Sequence, residues 1–156
     1  MRLLIAALAA LLCAGFAPPQ AAPVYVTRHY DTPAGERDPD LLPAGTARAD
    51  KLAKWFRGKK LAAIYVSDFK RTRQTAAPLA AIRGIVPEPY DPRDTPAIVA
   101  RARAAGKPVL IVGHSNTVPD LVQQLGGQRP ADLKHEDFGD LWTVRGGKAK
   151  HVKIEP

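Results

Sequence analysis

Alternating strand and helix signals predict an α/β fold with a mainly parallel sheet. Three apolar runs of strand length, residues 24–27, 61–66 and 109–112, are separated by stretches with helical spacing. The run at 109–112 has no polar interruption, the mark of a strand buried on both faces. Each run also leads into basic or imidazole side chains: Arg28 and His29, then Arg71, then His114. Ligands of α/β proteins sit at the carboxyl ends of the strands, so these groups are expected to share one site.

The first 22 residues stand apart. Met1 and Arg2 give a positive start, residues 3–12 are unbroken apolar chain, and Ala14, Gly15, Ala17, Ala21 and Ala22 offer cleavage points. This is the pattern of a secretory signal peptide. The apolar stretch falls short of the roughly 20 residues a membrane-spanning helix needs, so no stable membrane insertion is expected after cleavage. Residues 23–156 are expected to form a single domain, exported to the periplasm or secreted. Cleavage near Ala22 removes Cys13, the only cysteine, and leaves that domain without thiol or disulfide chemistry.

In the first strand, residues 24–27 are β-branched or aromatic, and the polar, turn-prone residues after His29 end it. Residues 33–45 are rich in Pro, Gly and Asp and predict a loop that helps shape a pocket. Thr46 is expected to cap a helix with Ala49, Leu52, Ala53 and Phe56 on its inner face, stopped by Gly58. After the second strand, Ser67 or Asp68 is expected to cap a helix that sets Arg71 and Thr75 one turn apart. Pro78 is expected to kink or shorten it. Residues 85–90 predict an edge strand, because Pro87 and Pro89 cannot donate to a ladder. Thr95 with Pro96 starts a helix that Gly106 stops. Pro119 starts another, which Gly126 and Gly127 stop. Residues 141–144 and 151–154 flank Arg145-Gly146-Gly147-Lys148 as a hairpin.

Lys and Arg number 23 against 15 Asp and Glu in 156 residues, a formal charge of +8. The basic residues are scattered, with little aromatic interleaving, which argues for an anionic small substrate and against nucleic acid. A guanidinium can hold phosphoryl oxygens in a bidentate fork, and a neutral imidazole offers a nitrogen nucleophile. Four phosphate-suited groups at three strand ends therefore point to phosphoryl chemistry.

The strand-Arg28-His29 opening, Ser67-x-x-x-Arg71-Thr72-x-Gln74-Thr75, and Val112-Gly113-His114-Ser115-Asn116 resemble, in order, the three motifs of the histidine phosphatase superfamily. The resemblance covers residues 23–145 and implies the phosphoglycerate-mutase-like fold, a three-layer α/β/α sandwich. It implies that His29 is the nucleophile, transiently phosphorylated, with Arg28, Arg71 and His114 binding the phosphoryl group. Asn116 and Thr32 are implied as further donors to phosphate, and Ser67 as either a donor or a helix cap. The partner is then a small phosphorylated substrate, and no metal or cofactor is required. Oligomeric state is left open.

Two departures stand out. The family usually has Gly or Ala after the nucleophile, where Tyr30 stands here, so Tyr30 either narrows the pocket or points away. A leaving alkoxide needs a general acid. Among Glu88, Asp91 and Asp94, Asp91 is the first choice, against a plain turn-forming role before Pro92. The absence of long insertions suggests an open site, as in a phosphatase rather than a mutase. A catalytically weak relative that binds a phosphorylated or anionic ligand is the second reading. Metal binding by His29, His114, His135 and His151 ranks last, since their spacing matches no compact motif.

Overall fold

The structure, a computed structural model, describes residues 21–156. The leader expected at residues 1–22 therefore lies almost wholly outside the described residues. Among the described residues no helix is long and apolar enough to cross a membrane.

Six strands and four helices follow in order: β1 (Val24–Arg28), α1 (Pro43–Trp55), β2 (Ala63–Ser67), α2 (Lys70–Arg83), β3 (Glu88–Tyr90), α3 (Thr95–Ala104), β4 (Val109–Gly113), α4 (Val118–Gln124), β5 (Asp140–Arg145) and β6 (Lys148–Lys153). They form one sheet in the order β3-β2-β4-β1-β5-β6. β1, β2, β3 and β4 pair in parallel, while β5 runs antiparallel to both β1 and β6. The predicted α/β class and mainly parallel sheet hold, with the antiparallel pairs gathered at one side.

The sheet is covered on both faces because its strand residues alternate. Tyr25, Ile64, Val66, Leu110, Val112 and Leu141 meet α1 and α2. Val24, Val26, Tyr65, Val109, Ile111 and Trp142 meet α3 and α4. β1 and β4 are buried along their whole length, which is why both read as continuous apolar runs. β1 lies between β4 and β5, so its polar end is carried into the middle of the sheet's carboxyl edge.

Several local expectations are corrected. α1 begins three residues before Thr46, at Pro43, whose fixed φ and missing N–H suit a first turn. Gly45 inside it permits a close approach. A Cβ there would stand 2.6 Å from the Asp31 carbonyl oxygen, so the glycine lets α1 lie against the segment that follows His29. Arg48 on α1 fixes that segment further through a 2.8 Å ion pair with Asp31, and it also donates to the Ile154 carbonyl. α2 is capped by neither Ser67 nor Asp68. Its N-cap is Phe69, and the Lys70 N–H is taken by the Asp38 carboxylate at 3.0 Å. Pro78 does not shorten α2, which runs on to Arg83. The predicted edge strand is only three residues long, β3, paired to β2 alone. Gly146 and Gly147, both at positive φ, make the two-residue turn between β5 and β6.

Candidate active site

His29, Arg71 and His114 come together at the carboxyl edge of the sheet. His29 follows β1, and its backbone N–H donates to Gly113 at the end of β4, 2.9 Å away. That bond ties the first motif to the third. The His29 and His114 rings meet edge to face with centroids 5.4 Å apart. Gly113 is needed at this junction, because a Cβ there would lie 2.8 Å from the Thr117 hydroxyl.

Each imidazole is held in one tautomer by partners that can only donate or only accept. The Tyr30 carbonyl lies 2.9 Å from His29 Nδ1. A carbonyl only accepts, so Nδ1 carries the proton and Nε2 presents a lone pair. Arg71 Nη2 reaches His114 Nδ1 at 3.4 Å, and a guanidinium only donates. The His114 proton is then on Nε2 and is donated to Ser67 Oγ at 2.7 Å. Ser67 passes the chain on to the Thr72 hydroxyl, which donates to the Ser67 and Phe69 carbonyls. Ser67 is thus a partner of His114 and not a helix cap.

Burial sets the charge of these groups. It pulls His29 down to about 3, with Arg28, His114 and Arg71 adding to the effect against the Tyr30 carbonyl bond. Burial, then Arg71 and Arg28, pull His114 down to about 4. Both imidazoles are neutral at neutral pH. The positive charge of the site itself therefore rests on the two guanidiniums. Burial lowers Arg28 to about 10, opposed first by Asp137, so it stays charged.

Arg28 is nearly enclosed. Its Nη1 donates to the carbonyls of Lys134, His135 and Asp137 at 2.7, 3.0 and 3.1 Å, and its guanidinium lies 4.1 Å from the Phe138 ring centroid. One edge of the fork therefore holds the segment before β5 in place. Arg71 sits 4.3 Å over the Phe69 ring and donates to the Arg37 carbonyl and the Asp38 carboxylate. Burial lowers its pKa and Asp38 opposes that.

Two neighbouring cavities share His29 and Arg71. The larger, about 360 Å³, also takes in Phe69, Arg93, His114 and Asn116. The smaller, about 160 Å³, takes in Arg28, Thr32, Glu36 and His135. The structure thus brings Asn116 and Thr32 to the site from opposite sides. Asp91 lines neither cavity. Arg93 grips its carboxylate in a fork at 3.0 and 2.8 Å, with the Arg93 N–H at 2.9 Å, and holds it down at about 2. The structure thus places Asp91 in a turn-forming role, gripped by Arg93 outside both cavities, and does not bring it to the site as the acid. Tyr30 points away from the pocket. It is fully buried in the core cluster that α1 and α2 share with the sheet, and its backbone N–H donates to the Thr75 hydroxyl on α2.

Sequence reasoning missed Arg93, Phe69, Glu36 and His135. Arg93 lies in the same turn as Asp91, so the turn was legible while the side chain facing the cavity was not. His135 reads as a surface residue and is exposed, yet its loop is drawn to the site by Arg28. His151, in the last-ranked metal reading, lies on β6 bonded to Asp140 at 2.8 Å. Among the described residues no three potential metal-ligating side chains come together.

The family model of the histidine phosphatase superfamily (branch 1) matches residues 24–93, a span that holds the first two motifs. The third motif is brought to them by the fold. The histidine phosphatase resemblance is borne out over that span. No curated protein sequence matches the chain. Among solved structures, the protein histidine phosphatase SixA complexed with tungstate is 18% identical, with a TM-score of 0.66 over 86% of this chain and 97% of that one. The mycobacterial glucosyl-3-phosphoglycerate phosphatase in complex with VO3 is 16% identical, with a TM-score of 0.65 over 86% and 99%. YhfR of Bacillus stearothermophilus is 20% identical, with a TM-score of 0.64 over 85% and 96%. At these identities the likeness is one of fold, and it is the histidine phosphatase fold.

Proposed function

We propose that the chain is a phosphatase that hydrolyses phosphomonoesters through a phosphohistidine intermediate on His29, without a metal. The observation that carries this is the fixed tautomer of His29. Its Nδ1 is committed to the Tyr30 carbonyl, and its neutral Nε2 is presented beside two guanidiniums. In the first step Nε2 attacks phosphorus, the N–P bond forms, and the bond to the leaving oxygen breaks, that oxygen taking its proton from water in the open cavity. Arg28 and Arg71 stabilise charge on the equatorial oxygens, the part of phosphoryl transfer where electrostatics does most of the work. His114 lines the same cavity, and its contact with Arg71 holds that guanidinium toward the phosphoryl group. In the second step water attacks phosphorus, the N–P bond breaks, and phosphate leaves while His29 returns to neutral. Asn116 and Thr32 serve as further donors. Two relatives in fold were solved in complex with tungstate or VO3, and such oxyanions stand in for phosphate.

The test is hydrolysis of an aryl phosphate by the purified chain with chelator present, beside His29→Ala. An aryl leaving group needs little protonation, so the result does not depend on the general acid. Turnover that survives chelator and falls at least about 10³-fold in the variant supports the reading. The retreat of Asp91 from the cavity favours a second reading, a binding module for a phosphorylated ligand. Binding of phosphate with no turnover would select it.

We also infer export to the periplasm or beyond, with residues 23–156 as the mature single domain, from the basic start and apolar run of the leader. The mass of the chain recovered from expressing cells tests this, since cleavage near Ala22 removes the leader.

A further inference from the structure

The formal charge of +8 is not spread evenly over the molecule, and the phosphoryl chemistry above uses only part of it. We propose that the amino edge of the sheet, opposite the edge that carries His29, is a docking face for an anionic lipid bilayer.

The topology collects cations at that edge. β1, β2 and β4 are parallel and start there, and the hairpin of β5 and β6 turns there. α1 and α3 run back towards it before β2 and β4 begin. The Ala62 N–H donates to the Pro108 carbonyl at 2.8 Å, which lays the two returning segments side by side. Along the sheet order the edge bears Arg57 and Lys60 before β2, Arg103 and Lys107 before β4, and Arg145 and Lys148 at the hairpin. All six are exposed, and none pairs with a carboxylate among the described residues. None of the 15 Asp and Glu lies in residues 51–67, 95–119 or 141–154, the stretches that build this edge. Cations crowded without a counter-charge repel one another, and an anionic partner relieves that repulsion.

Two observations favour a bilayer as that partner. The row extends from β2 to β6, about 19 Å at the usual strand spacing. Residues 57–62, 103–108 and 145–148 include no aromatic side chain, so the row lacks the stacking platforms that single-stranded nucleic acids need. The chain also enters the domain in the middle of the row. β1 lies between β4 and β5, and Arg145 Nε donates to the Ala21 carbonyl at 2.8 Å. The apolar run at residues 3–12 is joined to that point by residues 13–20, a length of chain that reaches at most about 29 Å. A leader engaged with a bilayer therefore keeps this face at the lipid, and after cleavage the cations alone hold it there; this point rests on the export reading. Docked in this way, the edge with His29 lies one strand length away, about 17 Å, and faces water.

The test is sedimentation of the purified full chain with vesicles of phosphatidylcholine, alone or with about 30% phosphatidylglycerol. The neutral vesicles measure what the apolar run contributes, so the ratio of the two partition coefficients isolates the cations. Each cation near an anionic surface is worth roughly fivefold in binding. With half of the six in contact, the ratio is about a hundredfold near 0.1 M salt and falls towards one in about 1 M salt. Lys60→Gln, Lys107→Gln and Lys148→Gln together should cut the ratio at least about tenfold. Arg73→Gln, Arg101→Gln and Arg129→Gln remove the same charge from ion pairs elsewhere and should cut it less than about threefold. Urea midpoints check that both variants fold, and the single Lys→Gln substitutions replace a variant that does not. A wild-type ratio near one, equal losses in the two triple variants, or tighter binding of a DNA duplex than of the anionic vesicles overturns the proposal. Failure of the export reading shows separately, as an uncleaved mass in expressing cells.

Discussion

His29 donates from Nδ1 to the carbonyl of Tyr30, 2.9 Å away, while the Tyr30 side chain is fully buried in the core. One residue thus uses its backbone to orient the nucleophile and its ring to anchor that backbone. The bulky residue after His29 is tolerated because it fills the space beneath α1 and leaves the pocket untouched. The Tyr30 hydroxyl is buried and makes no well-formed hydrogen bond, the Thr27 hydroxyl approaching it without satisfying it, a state that costs free energy. Tyr30→Phe is therefore expected to stabilise the chain by about 1 kcal/mol. Tyr30→Ala is expected to destabilise it by about 3–5 kcal/mol through the void it leaves. Urea unfolding midpoints check both, and destabilisation by Tyr30→Phe would refute the assignment of an unpartnered hydroxyl.

The pH dependence follows from the two imidazoles. An unperturbed histidine nucleophile would lose activity below about pH 6.5. With His29 pulled down to about 3, the nucleophile stays unprotonated well below that. The acid limb that His29 imposes on kcat/KM for an aryl phosphate should lie below pH 5. Stability moves the other way. Between the folded values, about 3 and about 4, and the unfolded value near 6.5, the unfolded chain binds more protons. Stability therefore falls as pH drops below about 6.5, by up to about 1.4 kcal/mol per pH unit for each histidine. His114→Asn should flatten that slope, which denaturant titrations from pH 7 to 4.5 will show.

Ser67 accepts the His114 proton at 2.7 Å and holds that ring's tautomer. Ser67→Ala leaves a buried N–H unpaired and frees the ring. We expect kcat/KM to fall about tenfold, with a stability loss of about 1–3 kcal/mol. Kinetics and unfolding on one preparation separate the two, and unchanged kcat/KM would show that the tautomer does not matter.

Gly45→Ala drives a methyl group towards the Asp31 backbone, where a Cβ would stand 2.6 Å from the carbonyl oxygen. α1 must then move off the segment that follows His29. The expected cost is about 1–3 kcal/mol in stability, with KM for an aryl phosphate rising more than for a surface alanine control such as Asp50→Ala.

The strands were legible because burial on both faces leaves continuous apolar runs, as at 109–112, and those runs fixed where Arg28, His29 and His114 would meet. Helix starts were less legible. The Lys70 N–H is satisfied by Asp38, a residue 32 positions earlier, and no local pattern announces such a cap. Asp91 was misjudged for a similar reason. A carboxylate in a turn reads the same whether it faces a cavity or is gripped by the arginine two residues on. The three carbonyls that bind Arg28 leave no side-chain signature at all, since any residue supplies a carbonyl.

Those carbonyls also set an order of events. The Arg28 guanidinium is buried at the middle of the sheet edge, and its Nη1 partners lie 106 to 109 residues further along the chain. A chain cut short before Lys134 leaves that charge without them, so the phosphate-binding edge cannot be complete until nearly the whole chain has emerged and folded. Turnover is then a certificate of full-length assembly, and truncated products should be silent.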